Sequence, residues 1–387
     1  MRRRPGLLAM LAALWLPLAA GCAMGAWTEP KPVASDSAPG TLLRQQAIPG
    51  APDDAGAFRV LYRSVGLDGQ PIAVSGLVIV PPGPPPPGGR PIVAWAHPTT
   101  GVVPRCAPSE AIFRFQQIQG LRDMVQHGFI VAATDYPGLG SAGTHPYLVG
   151  VSEARAVLDS VRAARALPDA GAGGDFAVWG HSQGGQAALF TGMLAAAYAP
   201  DLRLVGVAVP APATDLAALL RADRDTPAGR NLTAMTLWSW SRVYGAPLDA
   251  VVAPAAMPAI DDLAGDCIES VYDVAVRGRV ERRLEGGYLT VADLAAEEPW
   301  AGLIARNTPG TLPAGLPVFI AQGSADRVVP PRITEDYLRR LCAAGSPVEF
   351  VSLAGIGHAF AAMHSAREAV TWMADRLAGR PAPSGCR

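Results

Sequence analysis

Residues 176–189 read FAVWGHSQGGQAAL and contain the most informative local pattern of the chain. The apolar run at 176–179 has the length of a short buried strand, and the small residues after Ser182 favour a helix. Between them the residues at 180–184 fit the pattern G-x-S-x-G, in which glycines let the chain turn sharply. A strand, a tight turn and a helix in this order place a serine hydroxyl at the exposed edge of a sheet, near the positive end of the helix.

Strands and helices alternate on both sides of this stretch. Apolar strands separated by helices predict an α/β fold with a mostly parallel central sheet and helices on both faces. A hairpin precedes them, with strands at 58–65 and 71–80. We expect further strands at 92–95, 129–134, 176–179, 204–209, 317–321 and 348–353, and helices at 111–127, 152–167, 183–198, 331–343 and 361–377.

The alternation stops between residues 214 and 312. This segment contains helix-like stretches but no clear strand. We therefore expect a core at 46–213 and 313–387, and a mainly helical cap at 214–312. The cap should lie over the carboxyl edge of the sheet, where open α/β sheets bind ligands.

A serine nucleophile needs a base and an acid that orients the base. His358 follows the expected strand at 348–353, and Asp326 follows the strand at 317–321. The chain order Ser182, Asp326, His358 is that of the α/β-hydrolase fold, so we predict a catalytic triad of these residues. Asp135, after an earlier strand, is the rival acid.

The oxyanion formed by such an attack needs two backbone N–H donors. Gln183 follows the serine and should supply one. The second should come from the loop AHPTTG after the strand at 92–95. Because Pro98 has no N–H, Thr99 is the candidate and Thr100 the alternative.

Five segments together resemble the secretory lipase family of α/β-hydrolases, which includes fungal lipase A-type enzymes and bacterial homologues. The resemblance covers roughly residues 40–386. It implies a serine esterase or lipase that cleaves acyl esters through an acyl-enzyme intermediate, a lid-like cap, two disulfides and no cofactor. The segments are AWAHPTTG followed by CAPS, DYPGLG, GHSQGG, GSADRVVP and GHAF.

Four more side chains could contact a substrate, namely His97, Tyr147, Trp238 and Trp240. Each also has a structural interpretation. The resemblance implies that His97 supports the oxyanion loop, Tyr147 could lie in a surface loop, and the tryptophans could fill the core of the cap. We expect His181 to pack beside the turn rather than to transfer protons.

The N-terminus has the pattern of an export signal. A basic start is followed by an apolar run at 7–20 and by AAGC at 19–22. We expect a lipoprotein-type signal peptide at 1–21, lipidation of Cys22 and a polar, proline-rich tether at 22–45. Secretion after ordinary cleavage is the alternative. In both cases the chain leaves the cytoplasm, either for the bacterial cell envelope or for the medium.

Four cysteines besides Cys22 lie at positions without metal-ligand spacing. An even number in an exported protein predicts two disulfides, for which three connectivities are possible. The short chain between Cys342 and Cys386 favours that pair, which leaves Cys106 with Cys267. Free buried thiols are the alternative, and we expect no metal site.

The chain has 387 residues and a formal net charge of -1. This balance gives no indication of a nucleic-acid partner. We expect a monomer that acts on a small-molecule or lipid ester and contacts a membrane through Cys22. An acyltransferase, a non-catalytic envelope lipoprotein and a peptidase or amidase remain alternatives. A peptidase would need acidic groups for an amino terminus, and the cap offers Asp261, Asp262, Glu297 and Glu298.

Overall fold

One mixed sheet organises the computed structural model, which describes residues 36–268 and 271–386. The strands of this part of the chain are β1 (Leu42–Ile48), β2 (Gly56–Val65), β3 (Pro71–Val80), β4 (Arg90–Ala96), β5 (Ile130–Thr134), β6 (Ala172–Gly180), β7 (Arg203–Pro210), β8 (Val318–Gly323) and β9 (Val348–Leu353). They pair in the order β1-β2-β3-β5-β4-β6-β7-β8-β9. Pairs are antiparallel from β1 to the β3–β5 contact and parallel beyond it. The predicted α/β class and the predicted hairpin are confirmed.

The N-terminal expectations fall largely outside the described residues. The signal peptide at 1–21, Cys22 and the tether as far as residue 35 are not described. The expected end of the tether at residue 45 is wrong, because β1 begins at Leu42. This edge strand has mostly exposed side chains and is held by backbone pairing with β2, so hydrophobic alternation does not mark it.

Helices cover both faces of the sheet. Neighbouring side chains of a strand point to opposite faces, so Val178 of β6 packs into one apolar cluster and Trp179 into the other. The first cluster includes residues of α2, α3 and α9, and the second includes residues of α1 and α10. These helices are α1 (Leu121–Gln126), α2 (Gly150–Ala166), α3 (Gln183–Tyr198), α9 (Pro331–Ala343) and α10 (Ala361–Leu377).

The helix expected at 111–127 is wrong for most of its length. Only α1 is α-helical, and the preceding residues form turns. Gly120 has a φ of +81°, a left-handed conformation that interrupts any helix entering from the N-terminal side. Ile112 and Phe113 are 85% and 65% exposed, so they do not supply the buried apolar face that the sequence pattern suggested.

The insert between β7 and β8 forms a helical layer with its own apolar core. Trp240 stacks on Trp300 with 6.3 Å between ring centroids, and both side chains are buried. We call this layer, within the insert expected at 214–312, the cap. Its helices are α4 (Leu216–Asp223), α5 (Pro227–Val243), α6 (Met257–Gly265), α7 (Val271–Glu281) and α8 (Trp300–Arg306).

Two disulfides join parts of the chain that are distant in sequence. Cys106, in the loop after β4, is bonded to Cys267, which follows α6 of the cap. Cys342 of α9 is bonded to Cys386 near the C-terminus. These are the two pairs expected above, and the first ties the cap to the core.

Candidate active site

Ser182 occupies the sharp turn between β6 and α3. Its φ of +58° and ψ of −116° lie outside the backbone conformations that residues other than glycine favour. A Cβ atom on Gly180 would lie 2.1 Å from the carbonyl oxygen of Gly184, and one on Gly184 would lie 1.9 Å from that of Ala96. Because no side chain fits at either position, both glycines are required for the turn that holds the serine hydroxyl at the carboxyl edge of the sheet.

The three residues of the predicted triad lie in hydrogen-bond contact. The Oγ of Ser182 is 2.8 Å from Nε2 of His358, and Nδ1 of His358 is 2.8 Å from Oδ2 of Asp326. His358 follows β9 and Asp326 follows β8, so neighbouring parallel strands deliver both side chains to the edge that carries Ser182. The arrangement has the geometry of a nucleophile, a base and an acid that orients the base.

His358 and the local backbone together keep Asp326 ionised. Its Oδ1 accepts hydrogen bonds from the backbone N–H groups of Val328 at 2.9 Å and Val329 at 2.8 Å. Burial alone would raise the pKa of Asp326, but the hydrogen bond and charge of His358, together with these N–H groups, lower it below its ordinary value. A buried carboxylate with these partners can stabilise a positive charge on the His358 ring.

Gln183 is fixed behind the nucleophile by buried polar groups. Its side-chain Nε2 donates to Oε1 of Glu153 at 2.7 Å and lies 3.0 Å from Nε2 of His145. Glu153 also accepts the backbone N–H of Leu148 at 3.0 Å. Burial raises the pKa of Glu153 to about 8, against the lowering effect of Gln183 and Leu148. Sequence analysis missed Glu153, because only the fold brings α2 against the turn.

Thr99 lies in the loop after β4, facing the same cavity as Ser182. Its Oγ1 is 3.0 Å from the hydroxyl of Tyr147, and Tyr147 lines a second cavity at Ser182. The backbone carbonyl of Thr100, the alternative oxyanion residue, accepts the N–H of Ile268 from the cap at 2.7 Å. Contacts with Tyr147 of the core and Ile268 of the cap therefore hold the loop near the nucleophile.

Two cavities meet at Ser182. The narrow cavity has a volume of about 50 Å³ and is lined mainly by aliphatic side chains of the cap and of the loop after β8. The wide cavity is more open, has a volume of about 560 Å³, and is bordered by Thr99 and His358. The volume of the wide cavity is typical of sites that bind small molecules. Ser182 therefore lies between the narrow, mainly aliphatic cavity and the wide, more open cavity.

His97 does not line either cavity, so its interpretation as a substrate contact is wrong. The side chain is fully buried, with Nδ1 2.7 Å from the carbonyl oxygen of Pro98 and Nε2 3.1 Å from that of Asp135. Burial lowers the pKa of His97 to about 4, although both backbone contacts act in the opposite direction. The neutral ring supports the loop that carries Thr99.

The two tryptophans are also absent from the cavity walls, which corrects the expectation for Trp238 and Trp240. Trp240 packs on Trp300, and its Nε1 donates to the carbonyl oxygen of Tyr147 at 2.8 Å. The ring of Trp238 is covered by the guanidinium of Arg242 at 3.9 Å. Both rings stabilise the cap, and of the four expected contact residues Tyr147 alone borders a cavity.

The rival acid and the neighbouring histidine have structural surroundings. Asp135 accepts hydrogen bonds from the hydroxyls of Ser75 and Ser109, each at 2.6 Å, and from the N–H of Ser109 at 2.8 Å. Burial raises its pKa despite these donors. His181 packs 4.7 Å from the ring of His358, and burial lowers its pKa to about 3, with the His358 charge acting in the same direction.

Within residues 36–268 and 271–386, no cluster of three or more histidine, cysteine, aspartate or glutamate side chains is arranged to hold a metal ion. The chemistry that the site offers is nucleophilic attack by an activated hydroxyl.

Comparisons with known proteins give the family and the fold of this chain. A family model described as secretory lipase matches residues 116–385. Lipase A from Arthroderma benhamiae is 26% identical, over 93% of this chain and 80% of its own. A protein named probable inactive lipase from Mycobacterium tuberculosis is 25% identical, over 89% of this chain and 79% of its own. The closed structure of Candida antarctica lipase A has the same fold, with a TM-score of 0.75 and 18% identity over 90% of this chain and 84% of that chain.

Proposed function

Because this chain belongs to the secretory lipase family and is a carboxylic ester hydrolase, we propose that Ser182, His358 and Asp326 perform the hydrolysis. The observation that carries the proposal is the pair of 2.8 Å contacts through which His358 joins the serine to the buried carboxylate. In this geometry one imidazole nitrogen accepts the hydroxyl proton while the other donates to Asp326.

The reaction then has two halves. The Oγ of Ser182 attacks the ester carbonyl carbon while Nε2 of His358 takes the hydroxyl proton. His358 returns this proton to the alcohol oxygen as the ester bond breaks, which leaves an acyl group on the serine. Water, deprotonated by His358, attacks the carbonyl carbon of the acyl-enzyme. His358 returns this proton to Oγ of Ser182 as the acyl–serine bond breaks and the acid leaves. Asp326 holds the ring in the required tautomer and stabilises its charged form.

The backbone N–H groups of Gln183 and Thr99 are proposed to bind the oxyanion. Gln183 is the first residue of α3, so its N–H belongs to the positive end of a helix. Thr99 lines the wide cavity together with Ser182. Loss of one such donor typically lowers the rate by about 10²–10³.

The substrate is a lipid ester, in keeping with the family. We assign its acyl group to the narrow cavity, because the lining is mainly aliphatic and includes Gln183 beside the serine. The alcohol portion is assigned to the wide cavity, which is the larger and more open of the two.

The test is the initial rate on p-nitrophenyl esters from acetate to palmitate. We expect Ser182→Ala to lose a factor of about 10⁴ or more in kcat. Ser352→Ala, an exposed serine of β9, is the matched control and should keep the wild-type rate. Full activity in Ser182→Ala would overturn the proposal, and the preferred chain length would distinguish an esterase from a lipase.

A non-catalytic function is the second candidate, because one relative carries the name probable inactive lipase. It predicts no turnover and no labelling of the purified protein by a fluorophosphonate. The contact between Ser182 and His358 favours catalysis.

A peptidase is less well supported, because Asp261 and Asp262 of the cap pair with Arg242 and Arg283. An acyltransferase would share the triad and differ in the acceptor.

The protein is exported, in agreement with its secretory family and with two disulfides, which persist in oxidising compartments. No described helix is long and apolar enough to cross a membrane.

We propose that Cys22 carries a lipid anchor. Metabolic labelling with palmitate should mark the wild type and spare Cys22→Ser. Labelling of neither would favour the freely secreted form. We further propose a monomer, which light scattering of the purified protein would test.

A further inference from the structure

The narrow cavity contains one carboxyl group that the triad does not use. Asp223 is the last residue of α4 and lines the cavity together with Ser182 and Gln183. The residue is 5% exposed. Its neighbours in the cavity are mainly aliphatic, including Leu219 and Leu220 of the same helix. A carboxyl group is therefore placed in a mainly aliphatic cavity next to the nucleophile.

No hydrogen-bond donor within the described ranges reaches the side chain of Asp223. Only its backbone carbonyl is engaged, by the N–H and hydroxyl of Thr226 at 2.9 and 3.0 Å. The adjacent arginines point elsewhere, since Arg221 pairs with Asp293 and Arg224 donates to a backbone carbonyl. The carboxylate thus lacks a protein partner in its own segment.

Groups on the surrounding elements do not neutralise it either. On α5, Arg230 is bound to Glu281, and on α8, Arg306 is exposed. Two groups of the triad influence Asp223 electrostatically, the ring of His358 and the carboxylate of Asp326. Burial raises the pKa of Asp223 to about 7, while His358 lowers it and Asp326 raises it further.

This position is unfavourable for the fold. A buried polar group without a partner destabilises the folded state. Ionisable groups that are perturbed by burial in a cleft are enriched at functional sites. The arrangement therefore suits a partner that arrives with the substrate.

We propose that the narrow cavity binds an acyl group that carries a hydrogen-bond donor, a hydroxyl or an ammonium group, and that Asp223 receives this donor. The inference rests on the proposed function, since the same acyl group must present its ester carbonyl to Ser182. The aliphatic walls accommodate the methylene groups, and the carboxylate selects the substituted chain. Asp223 is thus a specificity-determining residue and takes no part in bond cleavage.

The test compares methyl esters of ω-hydroxy acids, ω-amino acids and unsubstituted acids of three to six carbons, with hydrolysis followed by base consumption at constant pH. We expect the wild type to prefer a donor-bearing ester over the unsubstituted ester at one chain length by roughly tenfold or more in kcat/KM. Asp223→Leu should abolish this preference and favour the unsubstituted ester. Asp225→Asn, an exposed aspartate in the same turn, is the matched control and should keep the preference.

Two readouts separate a folding defect from lost selectivity. The rate of fluorophosphonate labelling reports whether Ser182 remains competent, and Asp223→Asn, which is nearly isosteric, replaces Asp223→Leu if the latter fails to fold. In Asp223→Asn the preference for the amino ester should vanish and the thermal midpoint above pH 7 should rise. An unchanged preference in every folded variant overturns the proposal.

The identity of the donor follows from pH. An advantage of the amino ester that grows as the pH rises through about 7, and that Asp223→Asn lacks, assigns an ammonium group. An advantage of the hydroxy ester at all pH values assigns a hydroxyl. A wild type that hydrolyses unsubstituted esters equally well contradicts this inference alone, whereas a wild type that hydrolyses no ester contradicts the proposed function.

Discussion

Asp326 and Asp135 are both buried aspartates that follow strands of the sheet, but their neighbours differ. Asp326 contacts the His358 ring, whereas Asp135 binds two serines. We expect Asp326→Asn to lower kcat by about 10⁴ with little loss of stability, because the amide favours the wrong tautomer of His358. Asp135→Asn should instead lower the free energy of unfolding by about 1–3 kcal/mol.

Steady-state rates on one p-nitrophenyl ester and urea unfolding of both variants check this prediction. The folded Asp135→Asn variant should keep kcat/KM within a fewfold of the wild type. If Asp135→Asn loses activity and Asp326→Asn keeps it, the assignment of the acid is contradicted.

Among single residues, the sequence predicted those whose place in the fold follows from the order of the strands along the chain. Ser182, Asp326 and His358 each follow a recognisable strand, so their meeting at one edge could be anticipated. Glu153 and Asp223 could not be found in this way. Glu153 reaches Gln183 only through the packing of α2 against α3, and Asp223 lies in a charged segment, RADRDTP, that resembles a solvated surface.

The turn between β6 and α3 is tested by substitution of glycine. Gly184→Ala would place Cβ against the carbonyl group of Ala96, whereas a Cβ on Gly174 of β6 meets nothing within 4 Å. We expect Gly184→Ala to lose about 1–3 kcal/mol or more of folding free energy, together with activity. Gly174→Ala should change stability by about 0.5 kcal/mol or less. Urea unfolding of both variants gives the comparison, and equal stability would contradict the packing described for the turn.

The two disulfides should have different functional effects. Removal of Cys106–Cys267 releases a link between the cap and the loop that carries Thr99, so we expect Cys106→Ser/Cys267→Ser to lose both stability and kcat/KM. Cys342→Ser/Cys386→Ser removes a link remote from the site and should lower the thermal midpoint alone. Removal of either disulfide should lower the free energy of unfolding by about 2–5 kcal/mol. Thermal unfolding and ester hydrolysis measure both effects, and an unchanged kcat/KM in the first variant would show that the cap is positioned without its disulfide.

Among the elements, α3, α9, β9 and α10 begin and end at the predicted residues. The helix expected at 111–127 failed because its apolar residues include exposed side chains and because a left-handed glycine breaks the segment. The edge strand β1 was missed because backbone pairing, rather than an apolar pattern, holds it.

At the scale of the whole molecule, buried Glu153 makes stability depend on pH. Burial raises the pKa of its carboxyl to about 8 in the folded protein, while the unfolded chain has an ordinary value of about 4.3. The folded state therefore binds the proton more tightly, and the stabilisation present at low pH is lost as the pH rises through about 8. We expect Glu153→Gln to gain stability relative to the wild type between pH 6 and pH 9.

Urea unfolding at both pH values measures this difference. The exposed Glu335 provides the matched control, and Glu335→Gln should follow the wild type. A difference between Glu153→Gln and the wild type that stays constant with pH would contradict the raised pKa.

Fluorophosphonate labelling tests directly whether His358 activates Ser182, through the peptide that is modified and the rate at which it is modified. Trypsin releases residues 166–203 as one peptide in which Ser182 is the single serine. We predict an adduct on this peptide, formed at least about 10²-fold more slowly in His358→Asn because the base no longer activates the hydroxyl. An adduct on another peptide, or equal labelling rates in the wild type and His358→Asn, would contradict a Ser182 nucleophile activated by His358.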